Sequence, residues 1–501
     1  MLVGQLWTAV LLLGAMAGAG AGISAATSRR LELPTSTRVA LIGTTGFTFV
    51  GVATLIVGHL HLLGPWLPYG LAVGGGVLGV LGRRELVETS TRAWRGIRRQ
   101  FKAYPIPLSA VSLALVLAAA ASLTRPERRD EVEYHWPAPL AWAENGGWND
   151  SPFRHVDGFP FMEIVYTSAA TQQSYVAAHL LHFAMFLTLG FAVAGVAASM
   201  GVRGTGVTAA TVLAMPVVWD SAYAAYNDTP VATLTITAVG VVLAAPRDRL
   251  MATAIAGGLL AVATSIKPIA VAGVGLIGLM VLMQFLTARR SAADASSVGS
   301  AVSVGHQAVR TVPRLRTVLL QWVLLAAPVL VTLAFWSLRQ LLLTGHLVDP
   351  AVAGERSADA ISRLPTTVDR IIAPVLPFVS GLIGSMEPWG GRTAVAMQVF
   401  LIPALVYVFW RRGNVLRRFA LMVLPAWAAW IVLGFATVRT RFHITSWALI
   451  IIGIRVAFED FCDRRPRARF WLELAWTLCL LLALADVSFE MIRTLRSLVA
   501  G

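Results

Sequence analysis

Asp130, Glu131 and Glu133 fall within a stretch of four residues, followed at once by Tyr134 and His135, in a chain that otherwise avoids charge. A carboxylate partly withdrawn from water is suited to act as a general base on a hydroxyl group. Adjacent acids do not share a helix face. At most one of Asp130 and Glu131 is therefore expected to face a substrate, and the other a partner such as Arg128, Arg129 or a metal ion. A solvated acidic patch at a helix end is the plain alternative. Tyr134, His135 and Trp136 would serve equally as an interfacial aromatic belt, Trp136 above all.

Other residues able to do chemistry are scattered along the chain. The run from Trp142 through Gly146 and Gly147 to Trp148 reads as an amphipathic helix lying on the membrane and ending at glycine. Arg154, His155 and Asp157 lie in a turn, facing either an acceptor or only solvent, and Glu163 opens the approach to the next span. His179 and His182, three apart on one face of an apolar segment, would either hold a metal together or line a helix bundle. Asp220 reads as a helix-end cap, and Asp486 and Glu490 as solvated. Two cysteines, Cys462 and Cys479, exclude a disulfide framework and a thiolate metal site.

The elements that must position these residues are membrane spans. Of 501 residues, 56% are hydrophobic and 13% charged, and the mean hydropathy is +0.69. A water-soluble class is excluded. A net charge of +15 would point to nucleic acid in a soluble chain, but here the cations gather in alternate loops, as orientation in a bilayer requires. The loop from Arg83 to Lys102 is set inside on that ground, as are Arg203, the turn of Arg247 and Arg249, the stretch from Arg289 to Arg316, and the later arginine pairs. No nucleic-acid partner is expected. Apolar runs of spanning length then give an all-α polytopic protein of about fourteen spans. They include Leu2–Ala26, Val39–Leu60, Leu67–Leu81, Pro105–Leu123, Val176–Met200 and Gly206–Asp220. The first is read as a retained helix rather than a secretory signal. Two large loops, 124–175 and 339–394, share the outer face with the turn Tyr223–Asp228. The second contains an interfacial or re-entrant piece over 371–386, and 291–305 reads as a linker.

The order Asp130-Glu131, Tyr134-His135, Trp142 to Gly146, Pro160 and Glu163 after an apolar span resembles the first outer loop of the GT-C superfamily of polyprenyl-phosphate-sugar-dependent membrane glycosyltransferases. Protein O-mannosyltransferases and the aminoarabinose transferase of lipid A belong to it. Three later elements extend the resemblance: Asn227-Asp228-Thr229-Pro230, Thr264 to Pro268 around Lys267, and Arg439-Thr440-Arg441-Phe442-His443. It covers about 105–457 and leaves the first three spans unmatched. Residues 1–104 are accordingly additional N-terminal helices and a basic loop, 105–457 a GT-C-like catalytic module, and 458–501 a basic loop and a last span.

The resemblance implies transfer of a sugar from a polyprenyl phosphate to a hydroxyl of a glycan, lipid or protein at the outer face of a bacterial plasma membrane. Asp130 or Glu131 would be the base, and Asp228 would orient the acceptor or a cation. Lys267, Arg439 and Arg441 would hold the donor phosphate through charge-assisted hydrogen bonds, and Tyr134, His135, His155 and Glu163 would contact substrate. A divalent cation, if one is used, would fall to Asp130, Glu131 and Asp228, with His135 and Glu163 as further ligands. A transporter or flippase of lipid-linked glycans, with Lys267 and Asp228 as a coupling pair, is the reading from a different class.

Overall fold

The structure, a computed structural model, describes residues 2–28, 31–148, 158–219, 221–245, 249–297, 315–346, 395–434 and 443–500. Among them there are helices and no strands, as the hydropathy pattern requires: inside a bilayer, a helix satisfies its own backbone hydrogen bonds. The order is α1 (Leu2–Ser28), α2 (Thr35–His59), α3 (Leu67–Leu81), α4 (Arg83–Ala103), α5 (Pro105–Ala121), a π turn (Glu131–His135), α6 (Pro137–Asn145), α7 (Phe161–Ala170), α8 (Tyr175–Ser199), α9 (Thr205–Leu213) and α10 (Pro216–Trp219). There follow α11 (Asp228–Ala244), α12 (Arg249–Ile266), a 3-10 turn (Pro268–Val271), α13 (Ala272–Ser297), α14 (Leu315–Thr344), α15 (Val395–Arg411), α16 (Gly413–Gly434), α17 (Ile444–Arg464) and α18 (Pro466–Ala500). Seven helices among the described residues are long and apolar enough to cross a membrane. The chain is a multi-pass membrane protein by that measure.

Helix α8 is the hub, packing against α1, α2, α7, α9, α11 and α17. Small residues let α1, α2 and α3 approach closely: a Cβ added at Gly46 would collide with the Met16 carbonyl, and one at Gly18 with that of Gly75. Hydroxyls buried in these apolar helices bond to carbonyls one turn back, as at Thr44, Thr54, Thr211, Thr233 and Thr237, which satisfies them within their own helix.

Four sequence expectations change. The basic stretch 83–102 is a helix rather than a loop, because its polar and apolar residues repeat at helical spacing. Gly206–Asp220 does not span: α9 has nine residues and Pro216 starts a separate short turn, and nine residues rise only about 14 Å. The helix ending at Gly146 (φ 73°) forms as expected, but Trp142 is buried and meets Trp148 edge-on at 5.1 Å, while Trp148 donates to the Leu55 carbonyl. It is thus packed into the bundle rather than laid on a membrane surface. Arg289 and Arg290 continue α13 rather than open a loop. Residues 291–297, the first part of the expected linker over 291–305, are helical within α13, while 298–305 and the 371–386 segment lie outside the described residues.

Candidate active site

The apolar helix α5 ends at Ala121, and the polar segment begins at once. Its π turn carries a Trp136 N–H to Glu131 carbonyl bond, five residues apart, of 2.9 Å, and Pro137 follows at the first position of α6. The wider turn brings Glu131 and His135 inward together, whereas Val132 and Glu133 are exposed. Single π turns inside helical segments recur at functional sites. Glu133 is engaged outside, with exposed Arg129 at 2.7 Å. Of the two adjacent acids, Glu131 is buried and Asp130 half-buried.

Glu131 is met by a residue that sequence reasoning assigned to a metal pair or the bundle lining. His179 of α8 places Nε2 at 2.5 Å from Glu131 Oε1, and its Nδ1 lies 3.1 Å from the Ser122 carbonyl. A carbonyl only accepts, so Nδ1 carries a hydrogen. Nε2 then either donates to ionised Glu131 or accepts from its protonated form, so one proton is shared along this contact. The Ala225 N–H donates to the same carboxylate oxygen at 2.9 Å. Burial alone would raise the carboxyl pKa, but the charge and hydrogen bond of His179 with the amides of Ala225 and Arg128 outweigh it and hold it below the ordinary value.

Glu131 and His179 line a cavity of about 170 Å³ together with Thr124, Arg125, Glu127, Arg128, Tyr223 and Ala224. Two guanidinium groups thereby share a chamber with the buried carboxylate. Arg128 lies over the Tyr223 ring at 5.3 Å from its centroid and donates to its hydroxyl.

A second acid–histidine pair sits beside the first. His135 Nδ1 is 2.5 Å from Glu163 Oε1, and both side chains are buried. Tyr166 donates to the Tyr226 carbonyl at 2.9 Å, so its oxygen is left to accept from His182 Nδ1 at 3.0 Å. The Nε2 atoms of His135 and His182 are buried without a protein partner. The rings of Tyr134 and Tyr226 flank His135 at 4.2 Å and 5.8 Å. His135 and Glu163, expected to contact substrate, are enclosed and do not line the cavity described above.

The third group is an ion pair. Asp228 opens α11, its carboxylate in the first turn where the helix dipole favours a negative charge. Pro268 ends α12 and forces Lys267 into extended backbone (φ −156°). Lys267 Nζ lies 2.5 Å from Asp228 Oδ1 and 3.1 Å from Asn227 Oδ1. The lysine expected to be aimed at a phosphate is thus held by the acid expected to orient a cation.

One turn joins all three groups. Tyr223 meets Arg128, the Ala225 amide meets Glu131, the Tyr226 carbonyl meets Tyr166, and Asn227 and Asp228 meet Lys267. The structure therefore brings Glu131, His135, Glu163, Asp228 and Lys267 onto this turn and its neighbours. His155, Arg439, Arg441 and Asp220 lie outside the described residues. Among the described residues, no group of three or more acids, histidines or cysteines is arranged to hold a metal ion. The residues that sequence reasoning passed over are Arg125, Tyr166, Tyr223 and His182 in its hydrogen-bonding role. The signal for the histidines was their spacing at the start of an apolar helix.

No protein-family profile and no curated protein matches the chain. Among solved structures it is similar to the archaeal oligosaccharyltransferase AglB from Archaeoglobus fulgidus, in complex with an inhibitory peptide and a dolichol-phosphate. The identity is 14% and the TM-score 0.42, over 78% of this chain and 56% of that one. The match thus spans just over half the length of that protein.

Proposed function

We propose that the chain is a membrane glycosyltransferase that moves a sugar from a polyprenyl-phosphate donor to an acceptor hydroxyl at the outer face of the membrane. The observation that carries this reading is the Glu131–His179 pair in the wall of a cavity that also holds Arg125 and Arg128. Such a transfer needs a group to take the acceptor proton and cations to stabilise the departing phosphate. Glu131 is the base in this reading. His179, anchored by the Ser122 carbonyl, orients the carboxylate and exchanges its proton, and the Ala225 amide fixes the oxygen that both share. Arg125 and Arg128 are the cavity's own phosphate partners, a role for which guanidinium is suited by its forked donors.

Lys267 acts through Asp228, fixing the turn that carries Tyr223 and Ala225, and Arg439 and Arg441 remain proposed donor contacts. His135 and Glu163 serve as a buried support for the same turn. The pair of half-buried Lys267 and buried Asp228 also favours transport of a lipid-linked glycan as a second reading.

The test is transfer by purified protein from a panel of polyprenyl-phosphate sugars, comparing the native chain with Asp130→Asn, Glu131→Gln and Asp228→Asn. Glu131→Gln is expected to lower turnover by about 10²- to 10⁴-fold, the range for loss of a general base. Full activity in Glu131→Gln sinks the assigned mechanism. Movement of a labelled lipid-linked sugar across vesicles without transfer would establish the transporter instead.

A further inference from the structure

Helix α4 stands at the other end of α5 from the Glu131 cavity, about 25 Å away for a helix of seventeen residues. It runs across the ends of α1, α2, α5 and α9, tied down at both ends. Arg38 of α2 donates to Glu85 at 2.9 Å, and Gln100 bonds the Arg203 carbonyl at 3.0 Å and the Gly206 amide at 3.1 Å. Glu85, Thr89 and Gln100 therefore mark the face toward the bundle, at helical spacing.

The remaining circumference has two parts. Val87 and Trp94, seven residues apart and hence on one line, are 64% and 62% exposed. Leu81, just before α4, and Ile106, just after it, are likewise 71% and 66% exposed. Next to that line, Arg84, Arg95, Arg98 and Lys102 fall on one exposed side. The two acids of α4 are already engaged, Glu85 by Arg38 and Glu88 by Arg92. Among the described residues no acid pairs with those four cations. A helix joined to apolar helices at both ends, with an apolar line beside a cationic side, matches the layer where acyl chains meet headgroups.

We infer that α4 is a binding site for anionic phospholipid, its Val87–Trp94 line in the acyl boundary and Arg84, Arg95, Arg98 and Lys102 on lipid phosphates. The charge of the surface selects the occupant: a zwitterionic headgroup offers no net charge to four clustered cations, whereas an anionic one does. The inference does not depend on the chemistry at the Glu131 end. It assigns the opposite end of the bundle a second ligand class, and it predicts that the composition of that leaflet sets how firmly α4 is seated.

Two measurements on the full chain test it. A spin label at Val87→Cys, with the native Cys462 and Cys479 both buried, reports depth in nanodiscs of phosphatidylglycerol and phosphatidylcholine. Collision with oxygen is expected to exceed collision with a water-soluble nickel chelate. The converse overturns the inference, since the line would then face water or await a soluble partner. The second compares phosphatidylglycerol retained after purification from mixed vesicles by the native chain and by Arg84→Gln/Arg95→Gln/Arg98→Gln/Lys102→Gln. Its enrichment over phosphatidylcholine is expected to fall at least about threefold. Equal enrichment overturns the assignment of the cations. Should that variant fail to fold, the native chain alone still decides: equal retention of phosphatidylglycerol and phosphatidylcholine by it overturns the inference.

Discussion

The two ends of the helix bundle bury carboxylates in opposite ways. At the Glu131 end, the buried acids face histidines and a lysine: Glu131 with His179, Glu163 with His135, and Asp228 with Lys267. At the other end they face arginines. Arg455 of α17 is fully buried, reaches Glu473 of α18 at 3.1 Å and Glu459 at 3.4 Å, and lies over the rings of Phe458 and Trp476 at 4.2 Å and 4.9 Å. Arg469 joins Glu459 to Asp463, and Glu459 also accepts from the amides of Arg203 and Gly204. Guanidinium does not give up its proton, so this second network is a fixed clasp between α17, α18 and the turn before α9. Imidazole gives and takes protons, so the first set can move charge. It also leaves one wall open to a cavity. Burial of an acid by itself therefore says little. The identity of its partner separates a clasp from a site.

That contrast can be broken at the clasp first. Arg455→Met leaves buried Glu459 and half-buried Glu473 beside an apolar side chain, and removal of one partner from a buried charge network costs about 3–5 kcal/mol. Thermal unfolding in detergent should show the loss, while transfer per folded molecule stays at the native level. A large fall in turnover with unchanged stability would erase the distinction between the two ends.

A smaller effect sharpens the site. Glu131 has its carboxyl held below the ordinary value of 4.5, so the stability from its ionised form is complete above that value. It is lost as the pH falls through the lower folded value, where the carboxyl protonates. The stability gap between the native chain and Glu131→Gln should accordingly be widest near neutrality and close in acid. A gap that does not change with pH would mean that the carboxylate charge contributes nothing there.

The smallest effect lies just outside the cavity. Arg129 and Glu133 form an ion pair one helical turn apart, with Arg129 fully out in solvent, and exposed pairs of this kind contribute little. Arg129→Ala should leave both unfolding temperature and turnover as they are. A marked loss of turnover would extend the site outward to this arginine.

Much of the fold was legible because a bilayer makes span boundaries a matter of composition. The expected spans at 67–81, 105–123 and 176–200 correspond to α3, α5 and α8 to within two residues at each end. The failures share a physical reason. The 83–102 stretch was read from its charge, which marks an orientation but does not exclude a helix. Gly206–Asp220 was read from its apolar content, which Pro216 does not dilute but does interrupt. Trp142 was read as interfacial because an indole suits both a membrane surface and a packed core.

In the site, the acids Asp130, Glu131 and Asp228 and the base Lys267 stood out because charge is rare in this chain. Their partners did not. His179 looked like one of a pair with His182, yet the two turn to different acceptors, Glu131 and Tyr166. Sequence spacing fixes which residues share a helix face, and nothing in it states what the neighbouring helix presents.

The sequence by itself determined a membrane class, the helices, and a polar interruption after α5, since each follows from local composition and the hydrogen-bonding needs of a chain in hydrocarbon. Only the tertiary structure decided that the turn from Tyr223 to Asp228 reaches Arg128, Glu131, Tyr166 and Lys267 at once. Those contacts join residues separated by about 40 to 95 positions, and packing of α8 against α7 and α11 brings them together. Local pattern placed the carboxylates, and long-range packing chose the proton partner of Glu131.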